Sequence, residues 1–210
     1  MTFATTDSGR AMIADALAAA AGGYPPSIAR RVAFDAEPTF IGIAGPKRSG
    51  KDTLANLLSG ALRRPVDSFA APLRELTCRV LGMTPAELEE CKETPVPWLA
   101  DTTPRAMMQT LGTEWGRDMV HPELWVRSLF ARHQHGCIIS DVRFPNEARA
   151  IRQRGGVVVR LQRPGTGAGD AHASERPLPV ELVDIDLMND ESPQELLQRA
   201  LAGLRAHGVI

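Results

Sequence analysis

The sequence predicts an α/β protein in which about five parallel strands form a sheet with helices on both faces. The first observation is an apolar stretch that runs into a glycine-rich loop and then into leucines at helical spacing, over residues 40–62. The second is the alternation of short apolar stretches with helix-like segments after residue 136. Such alternation is typical of strand-helix-strand units, whose parallel strands are buried on both faces.

The length and composition fit one domain of this kind with an added N-terminal piece. The chain has 210 residues, of which 43% are hydrophobic and 23% are charged, and this is enough for one well-buried core. We assign residues 38–210 to that domain and residues 1–37 to an N-terminal extension. Within the extension, helical signals over residues 9–21 end at Gly22-Gly23 and at Pro25-Pro26, which are typical helix stops.

Charge and cysteine content argue against several classes of function. A formal net charge of −1 and a pI near 6.5 argue against binding to a nucleic-acid polymer, which needs a basic surface. Cys78, Cys91 and Cys137 are widely spaced, which argues against a disulfide framework or a zinc site. The alanine-rich run at residues 11–21 is too short to span a membrane and contains Asp15. We therefore expect a soluble, cytoplasmic protein without a membrane partner.

The glycine-rich loop is the strongest functional signal in the chain. Residues Phe40–Ala44 are apolar throughout, and the pattern Gly45-x4-Gly50-Lys51-Asp52 follows them directly. In such a loop, glycines permit tight turning, backbone N–H groups surround phosphate oxygens, and the lysine reaches the outer phosphates. The leucines at residues 54–62 continue as a helix, whose N-terminus favours anions. These features predict a P-loop NTPase fold that binds ATP.

The loop leaves one choice open, which concerns Mg²⁺. The residue after the lysine is usually Ser or Thr, whose hydroxyl holds magnesium, whereas this chain has Asp52 followed by Thr53. Either side chain offers a hard oxygen ligand, and the sequence does not decide between them. The residues predicted to bind ATP are Gly45, Lys47, Arg48, Ser49, Gly50, Lys51, Asp52 and Thr53, and the predicted metal ligands are Asp52, Thr53 and Asp141.

A mainly helical region interrupts the strand-helix alternation between residues 72 and 132. It follows Pro65–Ala70, which has the pattern of a second short strand. Thr84-Pro85-Ala86-Glu87 is a capping-box pattern with proline at the first helical position, and Thr103-Pro104 opens a further helix. We interpret this region as a helical insertion above the sheet. It would bind the acceptor, the molecule that receives a phosphoryl group from ATP.

The alternation then resumes to the end of the chain. A strand at Gly136–Asp141, a helix at Asn146–Arg154 and a strand at Val157–Gln162 are most simply a right-handed crossover unit. The glycine-rich residues 163–176 suit a lid-like loop, although an ordinary surface loop explains this composition equally well. A last strand at Val183–Met188 leads to a C-terminal helix, which starts with another capping box.

Two polar residues mark the end of the strand after residue 136. Asp141 ends this strand, at the carboxyl edge where α/β sheets bind ligands and where phosphate-loop proteins hold magnesium. Arg143 projects from the same edge, either to bridge donor and acceptor phosphates or to form a surface ion pair. We predict that Lys51, Asp141 and Arg143 are the catalytic residues.

The helical region carries residue types that recognise a nucleotide. Guanidinium groups suit phosphates, an amide can read a base edge, and indole rings can stack on a base. Arg105 and Gln109 lie four residues apart and so share one helix face, whereas core packing is the alternative for the tryptophans. His133 and His135 have no third ligand nearby in the sequence, which favours a solvated loop over a metal site. The predicted acceptor-binding residues are Arg74, Arg105, Gln109, Trp115, Arg117, Trp125, Asp141 and Arg143.

Together, these motifs resemble the deoxynucleoside monophosphate kinases of tailed bacteriophages. The resemblance rests on Gly45–Thr53, Met108–Arg117, Trp125, Asp141–Glu147 and His172–Glu175. It spans roughly residues 38–205, and the Ser-Gly-Lys-Asp form of the loop accounts for Asp52. The resemblance implies a fold of the nucleoside-monophosphate-kinase type, ATP as donor, Mg²⁺ as cofactor, a deoxynucleoside monophosphate as acceptor, and allows a homodimer. It also implies that Lys51 binds donor phosphates and that Arg105, Gln109, Arg117, Asp141 and Arg143 face the acceptor or the transferring group.

Two other functions stay open at this stage. The first is a phosphate-loop kinase with another small acceptor, since animal phosphomevalonate kinases share a similar Ser-Gly-Lys-Asp loop without the Gln109–Arg117 pattern. The second is a nucleotide-binding switch that hydrolyses ATP slowly and has no acceptor. The sequence also leaves the accepted base open, because an amide such as that of Gln109 can pair with several bases.

Overall fold

The computed structural model describes residues 39–166 and 177–210. The predicted N-terminal extension at residues 1–37 and most of the lid-like loop, residues 167–176, lie outside the described residues. Among the helices of the described part, none combines the length and the apolar character needed to cross a membrane.

The sheet confirms the predicted α/β class. Its strands are β1 (Ile41–Ala44), β2 (Val66–Asp67), β3 (Ile138–Val142), β4 (Val157–Gln162) and β5 (Ile185–Met188). They are arranged in the order β2-β3-β1-β4-β5, and every neighbouring pair is parallel. All carboxyl ends therefore meet at one edge of the sheet, and the loop after β1 lies at that edge.

The helices account for most of the remaining described chain. They are α1 (Lys51–Leu62), α2 (Ala71–Leu81), α3 (Pro85–Cys91), α4 (Pro104–Thr110), α5 (Leu124–Arg132), α6 (Pro145–Arg152) and α7 (Pro193–Ala206). A π-helix (Leu111–Val120) continues directly from α4, and short 3-10 turns lie at Pro97–Leu99 and Val180–Leu182. The predicted caps at Thr84, Thr103 and Ser192 are confirmed, because each side chain accepts a hydrogen bond from a backbone N–H of the first helical turn.

The core has two layers, one on each face of the sheet. Alternate residues of a strand point to opposite faces, and Ile138 and Ile139 accordingly belong to different layers. The layer that contains Ile139 includes buried residues of α5 and α6, whereas the layer that contains Ile138 includes buried residues of α1 and α7. This confirms the prediction of helices on both faces.

Three strands are shorter than predicted, and the third strand of the chain covers Ile138–Val142 instead of Gly136–Asp141. The second strand covers Val66–Asp67 instead of Pro65–Ala70, because the chain turns after Asp67 and enters α2. The last strand starts at Ile185 instead of Val183. There, the carboxylate of Asp184 accepts the N–H of Val158 at 2.8 Å, so a side chain replaces a ladder hydrogen bond.

The π-helix is a feature that the sequence did not predict. Its backbone bonds join residues five apart, and the N–H of His121 donates to the carbonyl of Gly116 at 3.0 Å. A Cβ atom at Gly116 would lie 2.5 Å from the ring of Trp125, so the small residue allows this indole to pack against the wide turn. The indole N–H of Trp125 donates to the carbonyl of Gly112 at 2.8 Å. Such wide turns are rare and are often found at functional sites.

A cluster of charged groups ties β2 to the end of α5. Asp67 accepts hydrogen bonds from Arg132 Nη2 at 2.9 Å and from His133 Nε2 at 2.6 Å. The side chain of His133 is only 20% exposed, so this residue is part of an ion cluster, whereas His135 is exposed as expected for a solvated loop. Burial alone would raise the pKa of Asp67, but hydrogen bonds from His133, Ser68 and Arg132 lower it to about 2.

The lowered pKa of Asp67 predicts a loss of stability in acid. The folded pKa of about 2 lies below the ordinary value of 3.8, so the stabilisation is complete above pH 3.8 and is lost as the pH falls through 2. We expect it to be worth about 1–2 kcal/mol, since Arg132 is partly exposed. Urea unfolding of the wild type and of Asp67→Asn between pH 6 and pH 3 measures this stabilisation. The difference in the free energy of unfolding between the two proteins should shrink as the pH falls. A constant difference would contradict this prediction.

Candidate functional site

The glycine loop lies between the carboxyl end of β1 and the N-terminus of α1, as predicted. Gly45 and Gly50 have φ angles of 149° and 98°, a region that side chains disfavour. At Gly45, a Cβ atom would lie 2.2 Å from the carbonyl oxygen of Leu161. The Nζ of Lys51 donates to the carbonyl of Pro46 at 2.6 Å. The lysine thus lies across the loop, above the backbone that would surround phosphate.

The remaining loop residues divide into exposed and buried ones. Lys47, Arg48, Asp52 and Thr53 are exposed, and their side chains are accessible to a ligand. Ser49 is fully buried, and its N–H donates to the carbonyl of Pro46 at 3.2 Å. The structure therefore places Ser49 inside the turn, where it shapes the loop.

Asn189 supports the loop from the position directly after β5, a role that was not predicted from the sequence. Its side-chain Nδ2 donates to the carbonyl of Ser49 at 2.8 Å, and a Cβ atom at Gly50 would lie 2.4 Å from the same nitrogen. Its own backbone N–H donates to the carbonyl of Gln162 at 2.7 Å. Asn189 thus fixes the Ser49–Gly50 peptide, one residue before Lys51, across 140 residues of sequence.

Removing the Asn189 amide should weaken ATP binding specifically. We expect Asn189→Ala to raise the KM for ATP roughly five- to thirtyfold, the equivalent of one lost hydrogen bond and one unpaired carbonyl. The KM for the acceptor should not change. Steady-state kinetics with each substrate varied in turn measures both values, with Asn56→Ala, an exposed position on α1, as the control. An equal rise in the two KM values would contradict this role.

Asp141 is buried at the carboxyl end of β3, next to the loop strand. Its two carboxylate oxygens accept the N–H groups of Phe69 at 2.8 Å and Ala70 at 3.0 Å. Burial raises the pKa of Asp141, although these two amides and the charges of Arg74 and Arg143 act in the opposite direction. The charges of Arg74 and Arg143 thus reach Asp141, and the two hydrogen bonds also give Asp141 a structural role in the turn before α2.

The side chains near the loop match the requirements of Mg²⁺. This ion prefers oxygen ligands and usually keeps several waters, with one or two carboxylates and the substrate phosphates completing its shell. Asp52 and Thr53 offer a carboxylate and a hydroxyl from exposed positions at the start of α1. Asp141 has both oxygens engaged by amides, so it is better suited to hold a metal-bound water than to bind the ion directly.

Two of the predicted arginines, Arg74 and Arg105, are each engaged by a neighbouring side chain. Arg74 Nη1 donates to the hydroxyl of Ser68 at 3.0 Å. Arg105 pairs with the carboxylate of Glu93. Both positive charges lower the pKa of Glu89, after the larger effect of its hydrogen bond from Lys92. Arg74 and Glu89 also line an open groove of about 280 Å³ between α2 and α3.

Gln109 and Arg117 line a second groove, of about 260 Å³, between α4, the π-helix and the turn before α6. Its lining consists of Ala106, Gln109, Thr110, Thr113, Glu114, Arg117 and Phe144. Arg105 is not among these residues, so the structure does not place the Arg105–Gln109 pair in one groove. The guanidinium of Arg117 lies 4.4 Å above the ring of Phe144, which adds a cation–π contact.

The two tryptophans have different environments. Trp115 is 45% exposed, and Trp125 is only 8% exposed in the core. Their ring centroids are 6.3 Å apart. Because the indole N–H of Trp125 is engaged by Gly112, core packing, the alternative considered above, explains the position of Trp125. Trp115 keeps an accessible ring next to Glu114.

Glu147 and Phe144 are site residues that the sequence reasoning did not select. Glu147 is 2% exposed, and its Oε1 accepts from Arg117 Nη2 at 2.8 Å. Its Oε2 accepts the N–H groups of Arg143 at 2.8 Å and Phe144 at 3.0 Å. Burial and then the charge of Asp141 raise the pKa of Glu147. Glu147 occupies the third position of a helix that begins with a proline, and its pairing with Arg117, 30 residues away, is a contact that the local sequence does not reveal.

The carboxyl edge of the sheet therefore carries two adjacent kinds of site. One is a loop of backbone N–H groups with a lysine, which suits a polyphosphate. The other is a groove with an arginine, an amide and an aromatic ring, which suits a nucleotide base or its phosphate. Between them, Asp141 and Arg143 supply charge at the point where groups bound in the two sites would meet.

Comparison with known proteins agrees with the family resemblance of the sequence motifs. A family model described as deoxynucleotide monophosphate kinase matches residues 86–200. The chain is 36% identical to a protein of Acanthamoeba polyphaga mimivirus named "Putative deoxynucleotide monophosphate kinase", over 78% of this chain and 94% of the relative. It is 26% identical to the deoxynucleoside-5'-monophosphate kinase of Escherichia phage T5, over 71% of this chain and 89% of the relative.

Among solved structures, a shikimate kinase from Aquifex aeolicus is similar, with 19% identity, a TM-score of 0.47, and coverage of 80% of this chain and 97% of that chain. The family match covers more than half of the chain, and the mimivirus relative aligns along nearly its whole length. The chain belongs to the deoxynucleotide monophosphate kinase family.

Proposed function

We propose that this chain transfers the terminal phosphoryl group of ATP to a deoxynucleoside monophosphate, giving ADP and the deoxynucleoside diphosphate. The observation that carries the proposal is the placement of the phosphate loop and the Gln109–Arg117 groove at the same edge of the sheet. Membership of the family and the names of the two viral relatives support the acceptor class. Neither alternative, the phosphomevalonate-type kinase or the switch, has such support.

On the donor side, backbone N–H groups of the loop and the N-terminus of α1 hold the ATP phosphates. Lys51 leaves the carbonyl of Pro46 and moves to the outer phosphates, which are stronger acceptors because they are charged. Mg²⁺, when bound with ATP near Asp52 and Thr53, would neutralise phosphate charge. Asp141 and Arg143 orient the groups around the transferred phosphoryl.

On the acceptor side, Gln109, Arg117 and Phe144 form the groove that receives the monophosphate. The accessible Trp115 ring next to this groove is available for stacking. We assign a part in acceptor phosphate binding to Arg74, whose charge acts on Asp141, whereas Arg105 pairs with Glu93 outside this groove. We propose residues 72–132 as the acceptor-binding region within a domain that spans residues 38–210.

The reaction needs no general base. The second pKa of a phosphate monoester is about 6, so the acceptor is already a nucleophile at neutral pH. In-line transfer then depends on positioning and on charge neutralisation by Lys51, Arg143 and the metal. The buried carboxylates Asp141 and Glu147 act by holding backbone and arginine groups in place.

The test is ADP release from Mg-ATP against a panel of acceptors. The panel contains the deoxy and ribo monophosphates of each base, mevalonate 5-phosphate and a blank without acceptor. The proposal predicts ADP release with one or more deoxynucleoside monophosphates and a rate near the blank with mevalonate 5-phosphate. Release that no monophosphate accelerates would overturn the proposal and favour the switch.

A further inference from the structure

We infer that Glu147 is a positioning residue that sets the acceptor arginine, Arg117, relative to the turn that carries Arg143. This inference rests on the proposed function, because it concerns how the acceptor is held. The carboxylate is 2% exposed, so it acts on the acceptor through its neighbours. It therefore differs from the residues that line the groove.

The hydrogen bonds of Glu147 join two elements that are far apart in the sequence. One oxygen accepts from Arg117 on the π-helix at 2.8 Å. The other accepts the backbone N–H groups of Arg143 and Phe144 at 2.8 and 3.0 Å. One carboxylate thus connects the acceptor region to the carboxyl end of β3, where the phosphoryl group would transfer.

The geometry restricts Arg117 on two sides. Its side chain is 17% exposed, with Glu147 on one nitrogen and the ring of Phe144 4.4 Å from the guanidinium carbon. An arginine fixed in this way loses little conformational entropy when it binds an anion or a base. Arg117 lines the groove, and its guanidinium has five donors in a fixed arrangement.

An ordinary helix cap in the same protein provides a comparison. Glu195 is also the third residue of a helix that begins with proline, and its carboxylate accepts the N–H of Ser192 at 3.1 Å. Glu195 is exposed, and its cap lies on α7. Glu147 makes a related cap contact but is buried and paired with an arginine. The buried pair of Glu147 and Arg117 is therefore the feature that a helix cap alone does not explain.

The test is a double-mutant cycle that uses Glu147→Gln, Arg117→Met and the double variant, with Glu195→Gln as the control. We expect Glu147→Gln to raise the KM for the accepted deoxynucleoside monophosphate roughly tenfold, and to leave the KM for ATP within about twofold of the wild type. In the Arg117→Met background, the same change should have no further effect on the acceptor KM, because the residue acts through Arg117. Glu195→Gln should leave both KM values unchanged.

Glu147→Asp covers the case in which the glutamine variant does not fold. It keeps the charge but shortens the side chain, and it should also raise the acceptor KM without affecting ATP. An equal rise for both substrates, or an undiminished effect in the Arg117→Met background, would overturn the positioning role. Wild-type protein without acceptor-dependent ADP release would overturn the proposed function, and this inference with it.

Discussion

Replacing Lys51 by alanine should lower kcat/KM roughly a hundred- to thousandfold, the cost of removing one preorganised donor to a developing negative charge. Lys51 lies across the loop and donates to the carbonyl of Pro46. In the enzyme with ATP, the same ammonium group would neutralise the migrating phosphoryl group. Initial rates of ADP formation with saturating acceptor measure the effect.

The same substitution should leave the fold nearly unchanged. Lys51 is half-buried at the first position of α1, where alanine is a good helix former. We expect the free energy of unfolding to change by less than about 1 kcal/mol. Lys92→Ala, a lysine on the far side of the helical region that pairs with Glu89, is the matched control and should keep wild-type kinetics. Full activity of Lys51→Ala would show that the loop does not act on the transferred phosphate.

Replacing Arg117 by lysine should raise the KM for the acceptor roughly ten- to a hundredfold, which corresponds to one charged hydrogen bond. Lysine keeps the positive charge against Glu147, so the buried carboxylate is not left unpaired. It loses the planar guanidinium, which stacks over Phe144 and presents several donors to the groove. Initial rates with the acceptor varied at saturating ATP measure this change.

The KM for ATP separates this effect from general damage. Because Arg117 lies in the groove and not in the phosphate loop, the KM for ATP should stay within about twofold of the wild type. Arg127→Lys, an exposed residue of α5 that pairs with Glu123, is the control. If Arg117→Lys raised the KM for ATP and left the KM for the acceptor unchanged, the groove would bind ATP and not the acceptor.

The sheet could be predicted because its strands are marked by local signals. The apolar runs at β1, β3 and β4 each end at a glycine or a charged residue, and the caps at Thr84, Thr103 and Ser192 mark three helix starts. The π-helix could not be predicted. It depends on a tertiary contact, the packing of Trp125 against Gly116, whereas the local sequence is compatible with an ordinary helix.

The site was predictable to the extent that it follows from motifs on single elements. The loop, Asp141 and Arg143 lie at one sheet edge because parallel strands share their carboxyl ends. The roles of Asn189 and Glu147 depend on contacts between distant segments, to Ser49 and to Arg117. Helical spacing places Arg105 and Gln109 on one face of α4, but Arg105 pairs with Glu93 and does not line the groove of Gln109.

The fate of the γ-phosphate tests the central claim most directly. The enzyme is incubated with Mg-ATP labelled at the γ-phosphate and with a mixture of deoxynucleoside monophosphates, and the products are separated by ion exchange. If the proposed transfer takes place, the label appears in a deoxynucleoside diphosphate, in an amount equal to the ADP formed. Label that appears only in inorganic phosphate, at a rate independent of the monophosphates, would contradict it.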